Sequence, residues 1–297
     1  MELLHIHKDT WAAVGATALI PFYRLTDTDI VLLDTGIAAS DREGLTALLE
    51  EHGLHPNGIL CSHAHYDHVG NAAYLRCRYG CPIAMPMIEA AICADATAFR
   101  ANYETLTYST IQSMFPEECF LSDVLISPDI DHLDFCGVRF GLLPLPGHSA
   151  GQMGFITPDG TAYLADCLLG PEQLQRFKLP TIMHIARDLT VMESLRSLRC
   201  PAYVLAHRTS VTELDPVIDA NIAAIHDKGR RLLSCLTDGM TTDQWLYAYC
   251  RQEGIHTHDP FRISVTQRNF LHLSGWLVDE GQVALSHDLC VSRYSKV

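Results

Sequence analysis

The sequence predicts an α/β fold with a substantial β-meander. Three features point there: apolar runs that end in turn residues, segments of helical spacing between the early runs, and a later series of apolar runs without helices between them. The first run, DIVLLDTGI, ends at Asp34-Thr35-Gly36, as a buried strand entering a turn does. REGLTALLEEHGL then has helical spacing with Gly53 as its stop. GILCSH is a second buried strand, after which a helix is expected to start near Asp67 and His68 and to run through NAAYLRCRYG to Gly80. CPIAMP is a short strand. The stretch from Ile88 to Cys119 is largely helical and long for a connection, which makes it a candidate lid over a site. VRFGLLPLPGHS, MGFITPDG, TAYLADCLL and PAYVLAHR follow as strands, the middle pair joined by a turn at Pro158-Asp159-Gly160.

The pattern changes near Asp215-Pro216. VIDANIAAIHDKGRRLLSCL is helical, and TTDQWLYAYCRQEG opens with Thr241 three residues before Gln244, the spacing of a capping box. VTQRNFLHLSGWLVDEG is a third helix and QVALSHDLCVSRY a hairpin, an order resembling a winged-helix unit. A domain boundary is therefore expected between residues 1–214 and 215–297. From Val217 onward eight basic residues face nine acidic ones, which favours a scaffold, dimerisation or substrate-cap role over a nucleic-acid reader.

The chain has 297 residues, 48% of them hydrophobic, enough for a large core. Its formal net charge of -14 works against a nucleic-acid partner held by phosphate contacts, so a small-molecule substrate is expected, with a second copy of the chain as a candidate partner. No basic leader with a long apolar stretch opens the sequence and no run is long enough to span a bilayer, so a cytoplasmic protein without a membrane partner is expected. The eleven cysteines contain no CxxC pair and read as reduced, mostly buried thiols.

The chemistry concentrates in SHAHYDHVGN. His63 and His65, two apart at the end of a strand, leave the same face and can reach one ion. Asp67 and His68 follow in the turn and can address a second. His148 in LPLPGHSAGQ, Asp166 at the end of TAYLAD and His207 at the end of PAYVLAH each follow an apolar strand, where a loop can bring them to a common rim. Neutral imidazoles and carboxylates suit zinc first, with iron or manganese as alternatives. The pairs His5/His7 and His256/His258 repeat the HxH spacing without the rest and are assigned to surface or loops.

This constellation resembles the metallo-β-lactamase superfamily of binuclear metallohydrolases: the HxHxDH box at His63, His65, Asp67 and His68, then His148, Asp166 and His207 in order, preceded by Asp34 in the DTG turn. The resemblance implies a four-layer αββα sandwich as the catalytic domain over 1–214, with a lid at 88–119 and a small helical, winged-helix-like region at 215–297. It implies two divalent metal ions, the first on His63, His65 and His148, the second on Asp67, His68 and His207, with Asp166 bridging and Asp34 supporting the ligands through hydrogen bonds. It implies hydrolysis by a metal-bound hydroxide of an ester, thioester or lactone, the glyoxalase II-like and lactonase-like branches being nearest in arrangement. Asp67 is also a candidate proton acceptor, although a ligand first. Arg208 stands where many relatives have glycine and is a candidate substrate contact. The alternatives are a phosphodiesterase or ribonuclease-type nucleic-acid hydrolase and an iron-dependent thiol dioxygenase. Cys167 is assigned to the core rather than to catalysis.

Overall fold

The structure is a computed structural model that describes residues 1–103 and 105–297; Glu104, inside the expected lid, lies outside the described residues. A seven-stranded sheet runs in sequence order: β1 (Glu2–His7), β2 (Thr10–Val14), β3 (Leu19–Arg24), β4 (Asp29–Leu33), β5 (His55–Leu60), β6 (Ile83–Pro86) and β7 (Val124–Ile126). Its first four strands form an antiparallel meander, and β4 through β7 are parallel. The parallel connections carry α1 (Ala38–Glu51), α2 (Tyr66–Val69), α3 (Ala72–Tyr79), α4 (Met87–Cys93), α5 (Ala96–Phe99) and α6 (Tyr108–Met114), with a 3-10 turn at Arg100–Tyr103.

The second sheet contains β8 (His132–Phe135), β9 (Val138–Pro144), β10 (Met153–Ile156), β11 (Ala162–Tyr163), β12 (Tyr203–Leu205) and β13 (Thr209–Val211), in the order β13-β12-β11-β10-β9-β8. α7 (Pro171–Arg176) and α8 (Ile185–Ser194) cross between β11 and β12. The chain continues through α9 (Asp215–Ser234), β14 (Met240–Thr241), α10 (Thr242–Glu253), α11 (Pro260–Asp279), β15 (Val283–Asp288) and β16 (Val291–Lys296), the three short strands pairing as β14-β16-β15.

Side-chain alternation along β4 explains the layering. Val31 and Leu33 point between the sheets, where they join Leu60 of the first sheet and Phe140, Leu142, Phe155 and Val204 of the second. Ile30 and Leu32 point the other way, onto Leu45 and Leu48 of α1 and Leu75 of α3. On the outer face of the second sheet, Tyr203 and Leu205 share a core with Met192 of α8, Ile218 and Leu232 of α9, Trp245 of α10 and Phe270 of α11. Helix, sheet, sheet and helix therefore stack as four layers.

Several details differ from the sequence-based expectations. The single helix expected from Asp67 to Gly80 is two, α2 and α3, separated at Gly70 and Asn71. A Cβ on Gly70 would lie 2.6 Å from the Ala38 backbone nitrogen and 2.7 Å from the Gly36 carbonyl oxygen, so the chain turns where backbone packs on backbone. α11 begins at Pro260, before the Val265 start suggested by its apolar spacing, because Asp259 accepts a hydrogen bond from the Phe261 amide at 3.0 Å and caps the extra turn. The strands β1 to β3 at the start of the chain were not anticipated; their short mixed segments carry little period-2 signal. His5 and His7 lie on the edge strand β1, His5 exposed, and His256 and His258 lie in the exposed loop before α11. The Thr241/Gln244 capping box forms. All eleven cysteines are free thiols.

Candidate metal centre

The site forms where strand ends meet on one rim. Asp34 follows β4, the box follows β5, His148 sits between β9 and β10, Asp166 follows β11 and His207 follows β12. β5 stops at Leu60, so His63 and His65 leave from the extended segment beyond the strand rather than from the strand itself. They still meet: His63 Nε2 lies 3.0 Å from His65 Nδ1, and His148 Nε2 lies 2.9 Å from the same nitrogen. Asp67 and His68 are carried by the short helix α2 rather than by an open turn.

Two adjoining donor groups result. Ligand atoms of His63, His65, His148 and Asp166 lie within 4.8 Å of one another, as do those of Asp67, His68 and His207. Asp166 stands between them: its Oδ1 is 3.3 Å from His68 Nε2, and its Oδ2 is 3.4 Å from His148 Nε2 and 3.2 Å from His207 Nε2. His68 Nε2 and Asp166 Oδ1 are buried, and neither has a hydrogen-bond partner among the described residues. Buried polar atoms left unpaired are costly unless a further group satisfies them, and convergent imidazole and carboxylate donors suit a divalent cation. The residues present therefore fit one or two metal ions.

Burial separates the donors electrostatically. It pulls His63 and His65 well below the usual imidazole range, helped by neighbouring imidazoles, and lowers His148 to about 4 against the pull of Asp166. These three are neutral, the form that binds a cation. Burial also opposes charge on His68 and His207, but Asp166 and its carboxylate neighbours outweigh it, raising His68 well above the ordinary value and His207 to about 9. Asp166 is pushed up by burial yet held well below the carboxylate range by His207, His68 and His148. Loading a cation here must displace protons from His68 and His207.

The supporting groups orient the rings. Asp34 adopts the left-handed conformation at φ 63°, a strained backbone for a residue other than glycine. Its Oδ1 accepts from the Ser62 amide at 2.7 Å; its Oδ2 accepts from the Ser62 hydroxyl at 2.7 Å, from the Tyr163 hydroxyl at 2.5 Å and from His68 Nδ1 at 2.7 Å. The Ser62 hydroxyl, its proton given to Asp34, accepts from His63 Nδ1 at 2.9 Å. Both His63 and His68 are thereby turned with Nε2 toward the cluster. Glu89, not singled out by the sequence, is fully buried on α4. It accepts from the Ala64 amide at 2.9 Å, the Ser149 hydroxyl at 2.7 Å and the Gly151 amide at 2.6 Å, clamping the box to the His148 loop. No spacing rule could have found it, since a lone glutamate on an amphipathic helix carries no signal of burial. Cys167 is buried and its thiol is pushed up by that burial, in keeping with a core role.

A cavity of about 390 Å³ opens beside the cluster, bounded by His65, Asp67, His148, Asp166 and His207 on one side and by residues of α7, α9 and α11 on the other. The lid segment contributes Tyr103 to its wall. Arg208 reaches the cavity, yet its Nη2 donates to the backbone carbonyls of Gly15 and Ala16, which ties the side chain to the β2–β3 loop.

Comparison with known proteins agrees with this geometry. The Metallo-beta-lactamase superfamily model matches residues 21–207. The hydroxyacylglutathione hydrolase GloC of Haemophilus influenzae is 28% identical over 131 residues, 44% of this chain and 56% of the relative. A hydroxyacylglutathione hydrolase of Vibrio cholerae is 29% identical over 142 residues, 48% of this chain and 43% of the relative. The chain thus spans about half the length of these curated relatives. A metallo-beta-lactamase family protein of Thermus thermophilus is similar in fold, with a TM-score of 0.73 at 17% identity, covering 97% of this chain and 99% of that one. With the family match extending over most of the chain and the donor groups assembled within it, this protein belongs to the metallo-beta-lactamase superfamily.

Proposed function

We propose that this chain is a metal-dependent hydrolase acting on a small ester, thioester or lactone. The observation that carries the reading is the position of Asp166 between two donor groups, with its Oδ1 and His68 Nε2 buried, 3.3 Å apart and without a well-formed hydrogen bond among the described residues. His63, His65 and His148 would hold one cation, Asp67, His68 and His207 a second, with Asp166 shared; zinc is the first choice for this donor set, iron or manganese the next. When bound, such cations supply a water of lowered pKa and polarise a carbonyl oxygen.

The chain's own groups do the rest. Asp34 and Ser62 hold the His63 and His68 rings in one tautomer and orientation, which removes a reorganisation cost at the moment of reaction. Asp67, partly accessible on α2, borders the cavity and is placed to receive a proton if it is not fully engaged as a ligand. The cavity is of a size to take a small acyl group, with Phe177, Ile182 and Phe261 among its walls. Similarity to hydroxyacylglutathione hydrolases supports thioesters ahead of phosphodiesters. Residues 215–297 are proposed as a cap, since α9 and α11 supply part of the cavity wall.

Elemental analysis of protein purified without added metal tests this reading. About two equivalents of metal, lower in Asp166→Ala, together with metal-dependent turnover of an ester, thioester or lactone that is lost in folded His63→Ala and Asp166→Ala, is the expected result, whereas turnover of phosphodiesters alone would favour the nucleic-acid hydrolase. Protein that neither carries nor takes up metal, or full activity in either variant under chelation, would overturn it.

A further inference from the structure

The two histidines of the second donor group are held in different ways. His68 gives its Nδ1 proton to the Asp34 carboxylate at 2.7 Å, whereas His207 Nδ1 faces a backbone carbonyl, that of Thr17, at 3.4 Å. A contact that long cannot by itself hold the loop between β2 and β3 in place. Phe177 and His68 meet the His207 ring edge-on, with centroids 6.2 Å and 6.4 Å away, and such packing does not select which ring nitrogen faces Asp166. The position of the Thr17 carbonyl therefore has to be set by other groups.

Two charged side chains grip the residues just before it. Asp41 of α1, which is buried, accepts from the Ala16 amide at 2.7 Å. From the opposite side, Arg208 Nη2 donates to the carbonyls of Ala16, at 2.6 Å, and Gly15. Ala16 is thus pinned through both its N–H and its C=O, and the Leu19 amide closes the far end of the loop on the Ala206 carbonyl at 2.6 Å. Arg208 makes the turn from β12 into β13 with a left-handed backbone, φ 59°, a conformation that costs a residue other than glycine. Glycine would make this turn without strain, so the turn gains nothing from arginine. What arginine adds is reach, back to a residue 192 positions earlier in the chain.

We propose that Arg208 is a positioning residue. By fixing the Gly15 and Ala16 carbonyls it sets the Thr17 carbonyl on His207 Nδ1, so that the ring presents Nε2 to Asp166, 3.2 Å away, beside Asp67 and His68. Arg208 then does for His207 what Asp34 does for His63 and His68: it supports a donor and leaves the substrate to other groups. The inference rests on the metal-dependent reading above for its catalytic meaning, and its first readout is taken without metal.

The test compares the full chain as wild type, Arg208→Gly and Arg208→Lys. Glycine suits the left-handed backbone, and the lysine ammonium keeps a charged donor for both carbonyls. In metal-free protein labelled with 15N-histidine, the Nδ1 proton of His207 is assigned by its absence in His207→Gln. Its NMR signal is expected in wild type and in Arg208→Lys, and is expected to be lost to solvent exchange in Arg208→Gly. In zinc titrations against a chromophoric chelator, Arg208→Gly is expected to hold one of two equivalents about tenfold less tightly and the other unchanged, with Arg208→Lys recovering most of the loss. An unchanged His207 signal in Arg208→Gly overturns the proposal. So does equal loosening of both equivalents, which a general loss of stability would give. If Arg208→Gly does not fold by circular dichroism, Arg208→Asn carries the same test, since asparagine also tolerates the left-handed backbone and cannot reach the loop. Should the chain take up no zinc, the hydrolase reading fails while the difference in the His207 signal, and with it the positioning role, stands.

Discussion

Asp34 Oδ2 lies 2.7 Å from His68 Nδ1, and that contact decides which nitrogen of His68 faces Asp166. A ring that donates from Nδ1 has Nε2 left for the cluster, where Asp166 Oδ1 is 3.3 Å away. The same carboxylate reaches His63 through Ser62. One aspartate outside both donor groups therefore sets the orientation of a candidate donor in each.

Asp34→Asn should weaken metal binding by about 10- to 100-fold without unfolding the chain, because the amide keeps the shape but loses the charge that all four donors share. Competition against a chromophoric chelator measures it. Unchanged affinity would show that the rings are held by packing alone.

Gly70→Ala should destabilise the fold by about 1–3 kcal/mol, since the new methyl meets the backbone of Ala38 and Gly36, which cannot rotate away as a flexible side chain would. Urea unfolding reads the loss as a lowered midpoint. A wild-type midpoint would mean that α2 and α3 can shift apart at little cost.

Asp159 gives a pH-dependent effect far from the cluster. Burial raises its carboxyl, but hydrogen bonds from Thr157, Thr161 and Thr10 outweigh it, and the net direction is down. Its Oδ2 also accepts from the Asp9 amide at 3.1 Å, so the 158–160 turn of the second sheet is tied to the start of β2 in the first. A depressed folded pKa stabilises above the unfolded value of about 4 and ceases to do so as pH falls through the folded value. Asp159→Ala should therefore cost about 1–3 kcal/mol at neutral pH. The difference in melting temperature from wild type should shrink below about pH 4. A gap that does not narrow in acid would assign the loss to packing rather than to the charged hydrogen bonds.

The box was legible because its residues are close in sequence and chemically unusual: three imidazoles and a carboxylate between His63 and His68 have no packing explanation. His148, Asp166 and His207 were legible because each ends an apolar run, and such ends of adjacent strands share a rim. The helix from Asp67 to Gly80 was misjudged as continuous because apolar spacing does not register a glycine that must admit another segment's backbone. The early strands were missed because only two or three of their residues face a core in any one direction.

By itself the sequence indicated the candidate donors, the alternation of strands and helices after the first three strands and the cap at Thr241, all of which depend on residue type and short spacing. Only the tertiary structure decided that Asp166 stands between the two groups, that Tyr163 joins Ser62 and His68 on Asp34, that Glu89 clamps two loops and that Arg268 of α11 lines the cavity. Tyr163 and Asp34 are 129 residues apart and Arg268 and Asn102 are 166 apart. Contacts at such separations are set by how two sheets and their outer helices stack, and residue spacing along the chain carries no record of them.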